Sequence, residues 1–263
     1  MAGDRLRRIL AELAGAGGSA RLCEVSTSVI GVSGAGIMIM SGDVPQGSLC
    51  STNKVSALIE DLQYTLGEGP CVDAYRADQV VLEPDLADPA VPRWLAFTPP
   101  AVAAGARAVF GFPLRLGVAR LGAINLYRDR PGPLDNDQHA DALVMADVAA
   151  RWVLDVQAGA PEGALASSLA DGADFHYVVH NAAGMVSVQL GTSVTEALIR
   201  LRAHAFGSGR PLGDVARDVV DRTLRFGCRP ARSGVGRRTT LFVKSGFEVG
   251  PGTGRVTLRL QGR

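Results

Sequence analysis

The stretch YVVHNAAGMVSVQLGTSVTEALIRLRAHAFGSGRPLGDVARDVVDRTLRF, residues 177–226, contains three successive apolar patterns with helical spacing. Apolar residues recur every three or four positions, so each predicted helix has one apolar face to bury. These faces consist of Val179, Ala182, Ala183, Val186 and Leu190, then Val194, Ala197, Leu198, Leu201 and Ala205, and then Leu212, Val215, Ala216, Val219 and Val220. Short helices joined by short turns bury such faces against one another, which predicts a three-helix module.

The residues between the three patterns predict where the helices begin and end. Gly191 suits the left-handed turn that closes the first helix. Ser193, with Glu196 three positions later, forms the capping-box pattern that opens the second. Pro211 suits the first turn of the third helix.

The residues before this stretch mix helical and strand patterns. The helical patterns cover residues 4–14, 20–29, 54–62 and 135–156. The strand patterns cover residues 35–39, 47–51, 79–82, 107–116 and 120–127. Gly117 lies in the short turn between the last two strands, which predicts an antiparallel hairpin. The fold class is therefore α+β, with an antiparallel sheet flanked by helices, followed by an all-α module.

The patterns divide the chain into five segments. They are an N-terminal helix at 1–19, the α+β domain at 20–157, an Ala, Gly and Ser-rich linker at 158–172, the three-helix module at 173–227, and a tail at 228–263. The tail has eight arginines and lysines against one acidic residue, so it is predicted to be a disordered basic extension. A hairpin formed by weakly alternating residues is the alternative for this tail.

Composition limits the possible functions. The chain has 263 residues, of which 47% are hydrophobic, enough for two domains. The net charge of +1 provides no global basic field, so any nucleic-acid site must be local. The four cysteines and four histidines lack metal-ligand spacing, so we expect free thiols and neither a metal nor a cofactor. No apolar run approaches the length of a membrane span, so we expect a cytoplasmic protein without a membrane partner.

Three motifs in the module resemble the ANTAR domain. They are HNAAGM at 180–185, EALIRLR at 196–202 and LGDVA at 212–216. Members of that family are RNA-binding antitermination modules that act on stem-loops in nascent transcripts. The resemblance implies that this chain binds RNA stem-loops, acts as a homodimer and prevents transcription termination.

Four motifs in the α+β domain resemble the GAF domains found upstream of ANTAR modules in actinobacterial proteins. They are LGEGPC at 66–71, RW at 93–94, VFGFPL at 109–114 and LGAINLY at 121–127. The resemblance implies a sensor domain that receives an unknown small-molecule or protein signal and controls the RNA-binding module.

The RNA-binding candidates combine arginines with residues beside a glycine. The arginines lie off the apolar faces, and a guanidinium group can bind phosphate or stack on unpaired bases. The missing side chain of the glycine permits another backbone to approach, either that of RNA or that of a neighbouring helix. The candidates are His180, Asn181, Gly184, Arg200, Arg202, Arg210 and Arg217. The alternative for the arginines is an ordinary solvated helix surface.

The effector-pocket candidates lie in the α+β domain and are Cys71, Phe110, Phe112, Asn125 and Tyr127. Core packing is the alternative for the residues on the strands. Cys71 follows Pro70 at a predicted helix start, where a thiol can become a nucleophile, but a structural turn explains the same pattern. We therefore predict no catalytic residue and no enzyme. The alternative functions are a DNA-binding transcription factor and a thiol-dependent methionine sulfoxide reductase on the GAF-like domain.

Overall fold

The structure is a computed structural model that describes residues 2–14, 18–41, 44–88, 93–158 and 177–227. The predicted linker from residue 159 onward and the predicted basic tail with its alternative hairpin lie outside these residues. None of the described helices has the length and apolar character needed to cross a bilayer.

Nine helices and five strands lie within the described residues. The helices are α1 (Ala2–Leu13), α2 (Gly18–Ile30), α3 (Lys54–Leu66), α4 (Pro70–Ala77), α5 (Thr98–Ala103), α6 (Asn136–Ala158), α7 (Tyr177–Leu190), α8 (Val194–Ser208) and α9 (Leu212–Val220). The strands are β1 (Gly34–Ser41), β2 (Val44–Ser51), β3 (Val81–Glu83), β4 (Ala108–Leu116) and β5 (Ala119–Arg128). The helical patterns of the sequence include neither α4 nor α5, although Pro70 suits the start of α4.

The five strands form one antiparallel sheet in the order β2-β1-β5-β4-β3. The predicted hairpin joins β4 to β5, and Gly117 in its turn has a φ of 60°. In this hairpin Phe110 lies opposite Leu126, and Val109 lies opposite Tyr127. The predicted antiparallel sheet flanked by helices is confirmed, and we call strands β1–β5 with helices α2–α6 the sheet domain.

Each face of the sheet has its own helical layer. Helices α2 and α6 cover one face, where Phe110 and Ile124 are fully buried. Helices α3 and α4 cover the other face, where Tyr64 and Cys71 are buried. A Cβ added to Gly111 in β4 would lie 2.4 Å from the carbonyl oxygen of Pro70. The start of α4 therefore lies directly against the sheet, because glycine leaves room for its backbone.

Helix α1 packs on the outside of the α6 layer. Ile9 of α1 is fully buried, and the guanidinium groups of Arg5 and Arg8 both bind the carboxylate of Asp141 in α6. The Asp141 side chain is itself almost completely buried, so two cations compensate for the removal of this carboxylate from water.

The expectation of free thiols is wrong for two cysteines. Cys23 in α2 and Cys50 in β2 form a disulfide with a Cα–Cα distance of 6.1 Å. The physical reason is the packing of α2 over β2, which brings together residues that are 27 positions apart and share no local motif. Cys71 is a free, buried cysteine, and Cys228 lies outside the described residues.

Helices α7, α8 and α9 pack on one another and form the predicted three-helix module (residues 177–227). Most members of the predicted faces are buried, but Val194 is half-exposed. Val194 points outward because it is the first residue of α8, where the helix has not yet completed a turn against its neighbours.

The module's helix ends agree with the prediction at Gly191, but Pro211 precedes the first turn of α9 and the capping box is only half formed. Gly191 has a left-handed φ of 63°, and Pro211 is the N-cap residue immediately before α9. The Ser193 hydroxyl accepts the backbone N–H of Glu196 at 3.2 Å. The carboxylate of Glu196 accepts instead from Arg200, so the reciprocal half of the capping box is not formed.

Candidate nucleic-acid interface and its contact with the sheet domain

Two of the predicted RNA-binding residues lie on an open part of α7. The Asn181 side chain is exposed to solvent. A Cβ added to Gly184 would meet no atom within 4 Å, so no neighbouring helix among the described residues uses the space beside this glycine. Helix packing, the alternative reason for Gly184, is not seen there.

Three of the predicted arginines form ion pairs within the module. Arg200 lies 2.9 Å from Glu196, Arg210 lies 2.8 Å from Asp218, and Arg217 lies 2.8 Å from Asp214. Each pair retains substantial solvent exposure, and such surface pairs contribute little to stability. An incoming phosphate can therefore replace these carboxylates at small energetic cost.

Arg202 differs from these three arginines because it contacts the sheet domain. Its Cζ atom lies 5.4 Å from the centre of the Tyr64 ring in α3, a cation–π distance. Its Nε and Nη2 groups are buried and have no hydrogen-bond acceptor among the described residues. Burial lowers the pKa of Arg202, Tyr64 partly offsets this effect, and the neighbouring charge of Arg76 lowers the pKa further.

His180 lies in the same contact with the sheet domain. Its Nε2 atom is 3.4 Å from the backbone carbonyl oxygen of Gln46, and its ring meets the Tyr64 ring edge-on with 6.5 Å between centroids. Burial lowers the pKa of His180, which favours the neutral imidazole. The predicted RNA-binding residues are thus divided between the open part of α7, the paired arginines and this contact.

A groove of about 360 Å³ opens beside Arg202, between the sheet domain and α8. Its walls include Leu66, Gly67 and Arg76 from the sheet domain, and Ile199 and Phe206 from α8. The sequence patterns identify neither Tyr64 nor Arg76 as site residues. Both are brought to Arg202 by packing between distant segments, for which a single sequence provides no local signal.

The five effector-pocket candidates do not share one site. Phe110 and Phe112 belong to the cluster under α2 and α6, whereas Cys71 and Tyr127 belong to the cluster on the opposite face of the sheet. Asn125 lies on that second face, beside Glu60 of α3. All five side chains are buried, so for Phe110 and Phe112 the structure shows core packing.

Cys71 lies in a buried polar cluster. Its backbone N–H donates to Gln63 at 2.6 Å, and its thiol lies 3.8 Å from the carbonyl oxygen of Ala123. The side chain has no exposed surface, and burial raises the pKa of the thiol well above its ordinary value. A buried protonated thiol is a poor nucleophile, so the structural interpretation of this motif fits the geometry better.

Glu60 is the buried acid of the same cluster. Burial raises the pKa of Glu60 to about 8, and the neighbouring Asn125 amide partly offsets this effect. The carboxyl oxygens of Glu60 and the amide atoms of Asn125 lack partners at good hydrogen-bonding geometry among the described residues. No group of three potential metal ligands occurs in the described part of the chain.

Comparison with known proteins gives matches in structure alone. No protein-family model and no curated protein matches the sequence. One similar structure is the GAF domain of an Acinetobacter phosphoenolpyruvate-protein phosphotransferase, with 13% identity over 60% of this chain and 96% of that one, and a TM-score of 0.46. The corresponding GAF domain from Coxiella burnetii has 12% identity over 60% of this chain and 95% of its own, also with a TM-score of 0.46.

A third similar structure is the type II free methionine-R-sulfoxide reductase from Thermoplasma acidophilum. It has 17% identity over 58% of this chain and 96% of its own, with a TM-score of 0.42. Because all three TM-scores lie below 0.5, they support no statement about a ligand or an activity. The sheet domain itself consists of one antiparallel sheet between two helical layers.

Proposed function

We propose that this protein is a cytoplasmic, signal-responsive RNA-binding regulator that binds stem-loops in nascent mRNA and prevents transcription termination. Support comes from the ANTAR-like motifs, which lie on a folded three-helix module as the resemblance requires. The module offers RNA an open part of α7 and arginines whose present partners are exposed carboxylates. No chemical step is needed, because binding one RNA structure is enough to disfavour a competing one.

The contact between Arg202 and Tyr64 is the single observation on which the proposed regulation rests. Arg202 is a predicted RNA-binding residue, and Tyr64 belongs to a helix of the GAF-like domain. A signal that changes the position of α3 therefore changes whether Arg202 and His180 are available to RNA. Such a signal acts only through its different affinities for the two states of the contact.

In the proposed mechanism, the active protein is a homodimer. Two modules then bind two RNA loops, and the second loop binds at the high effective concentration set by the first. A single-hairpin RNA is thus expected to bind more weakly than an RNA with two suitably spaced hairpins.

The test is a titration of the full chain with a two-hairpin RNA and with duplex DNA of equal length at the same salt concentration. Tighter binding of the RNA, together with increased readthrough at a downstream terminator in a transcription assay, supports the proposal. Tighter binding of the duplex would instead support the DNA-binding alternative. Turnover of methionine sulfoxide that is lost in Cys71→Ser would support the reductase, although the burial of the thiol argues against it.

A further inference from the structure

Two cations that have no carboxylate partner in the described part of the chain line the groove beside Arg202. Arg202 and Arg76 both lie in its wall, and neither forms a salt bridge within the described residues. The Nη1 group of Arg76 donates to the backbone carbonyl of Gly67 at 3.3 Å. The two like charges are close enough for Arg76 to disfavour the charged form of Arg202, so an anion between them would remove a repulsion.

The hydrogen-bond donors of the Arg202 guanidinium group also indicate an anion site. Its Nε and Nη2 groups are buried without acceptors in the described part of the chain, and the residue itself lines the groove. Unpaired buried donors on a charged group are costly, and an arginine fork matches the oxygens of a phosphate or carboxylate. The Tyr64 ring accounts for the position of the guanidinium group but accepts no hydrogen bond from its Nε or Nη2.

Glu68, the acidic residue in the groove wall, already accepts two hydrogen bonds from the backbone. Glu68 lines the same groove, but its Oε1 atom accepts the backbone N–H groups of Ala96 and Phe97 at 2.8 and 2.9 Å. These two bonds hold the carboxylate on the segment before α5. Within the described residues, Glu68 forms no salt bridge with Arg202.

Three large apolar side chains form another part of the groove wall. Leu66 comes from α3, and Ile199 and Phe206 come from one side of α8. Phe206 keeps 66% of its surface exposed and Ile199 keeps 53%, although both are large apolar residues. A ligand with an apolar body beside its anionic group would cover both side chains.

We propose that this groove binds a small organic anion with a phosphate or carboxylate group held by Arg76 and Arg202 and an apolar ring against Ile199 and Phe206. Because Arg76 belongs to the sheet domain and Arg202 to the module, the bound anion bridges the two. Bridging stabilises the contact between them. If the proposed function is correct, the bound anion keeps Arg202 on the sheet domain and so lowers the affinity of the protein for RNA. This consequence rests on the proposed function, whereas the anion site does not.

The experiment is isothermal titration calorimetry of the full chain with phenyl phosphate at low salt. We expect one saturable site per chain, with an affinity that falls about tenfold or more in Arg202→Gln and in Arg76→Gln. Arg76 is exposed on α4, so its substitution tests the site without disturbing a core. Arg200→Gln, on the same helix as Arg202 but paired with Glu196, is the matched control with unchanged affinity.

Three further ligands separate the parts of the proposed site. Inorganic phosphate is expected to bind more weakly than phenyl phosphate, and phenol is expected not to bind, because each lacks one half of the required chemistry. Benzoate identifies whether the groove prefers a carboxylate or a phosphate. The absence of a saturable site for both aromatic anions, or equal binding by wild type and both arginine variants, would overturn the proposal.

The consequence for RNA is measured separately. Phenyl phosphate is expected to weaken binding of hairpin RNA by the wild type and to have no effect on Arg76→Gln. If the anion binds and RNA affinity is unchanged, the regulatory consequence is wrong and the site stands. If no hairpin RNA binds under any condition, the proposed function fails, while the calorimetric result still decides whether the groove is an anion site.

Discussion

The guanidinium group of Arg202 lies over the ring of Tyr64, with 5.4 Å between Cζ and the ring centre, and joins the three-helix module to the sheet domain. Two effects oppose each other at this contact. The cation–π interaction holds the arginine in place, whereas its buried donors lack acceptors among the described residues. Because the favourable ring contact is partly offset by the unpaired donors, a small change in either free energy can shift the equilibrium between the closed and the open contact.

Loss of the Tyr64 ring is expected to increase RNA affinity. In Tyr64→Leu the cation–π interaction is absent, so Arg202 leaves the sheet domain more readily and becomes available to RNA. A cation–π interaction contributes about 0.5–2 kcal/mol, so hairpin RNA should bind about two- to thirtyfold more tightly. The measurement is a fluorescence-anisotropy titration of the full chain with labelled hairpin RNA.

Two controls separate this effect from a general loosening of the core. Tyr64→Phe retains the ring and should bind RNA like the wild type. Tyr75 lies under Arg120 at 5.2 Å in a similar pair that does not involve the module, so Tyr75→Leu should leave RNA affinity unchanged. Equal gains in Tyr64→Leu and Tyr75→Leu would show that the Arg202 contact does not control RNA binding.

Two glycines are expected to respond oppositely to alanine. In Gly111→Ala the new Cβ meets the backbone of Pro70, which cannot rotate away, so the variant should lose about 1–3 kcal/mol of unfolding free energy or more. In Gly184→Ala the Cβ enters open space inside a helix, so stability should rise by about 0.5–1 kcal/mol. Urea unfolding measures both changes. A similar loss in the two variants would mean that α7 is covered in solution.

Glu60 should make the protein less stable as the pH rises. Burial raises the pKa of Glu60 from 4.5 to about 8, so between these pH values the folded protein holds a proton that the unfolded chain releases. The free energy of unfolding therefore falls across this window and levels off above about pH 8. With about 1.4 kcal/mol per pKa unit, the total effect has an upper limit of about 5 kcal/mol.

Glu60→Gln isolates this contribution. Glutamine has the shape of the protonated acid and stays neutral, so the variant should match the wild type near pH 4.5 and exceed its stability at pH 8. Burial also raises the pKa of Asp61 and gives a slope of the same sign, so the informative quantity is the difference between wild type and variant. If the difference in unfolding free energy between wild type and Glu60→Gln stays the same at every pH, Glu60 is not buried as the structure describes.

Local patterns predict most of the described fold but little of its contact site. The helical and strand periodicities identify the helices of the module and the strands of the sheet, because periodicity depends on residues that are close in sequence. The burial of Glu60 and the joining of Cys23 to Cys50 depend on packing between distant segments. Neither residue type nor spacing reveals such packing in a single sequence.

The division of the predicted RNA-binding residues has the same cause. A helical pattern shows that Arg200 and Arg202 lie off the apolar face of α8, but it does not show what each of them meets. Two positions along a helix correspond to a rotation of more than half a turn. Arg200 therefore pairs with Glu196 on its own helix, whereas Arg202 reaches the sheet domain.

Arg200 and Arg151 provide a matched pair for the RNA-binding surface itself. Arg200 pairs with Glu196 at 2.9 Å in α8, and Arg151 pairs with Asp147 at 3.0 Å in α6. In each pair the partners are four residues apart and their side chains are exposed. Arg200→Gln should weaken hairpin RNA binding and reduce the slope of log K against log salt by about 0.7–0.9, the value for one phosphate contact. Arg151→Gln removes the same charge outside the module and should change neither quantity.

Both variants should keep the wild-type unfolding midpoint, because exposed ion pairs contribute little to stability. A salt slope that falls equally in the two variants would mean that RNA responds to net charge and not to the surface of α8.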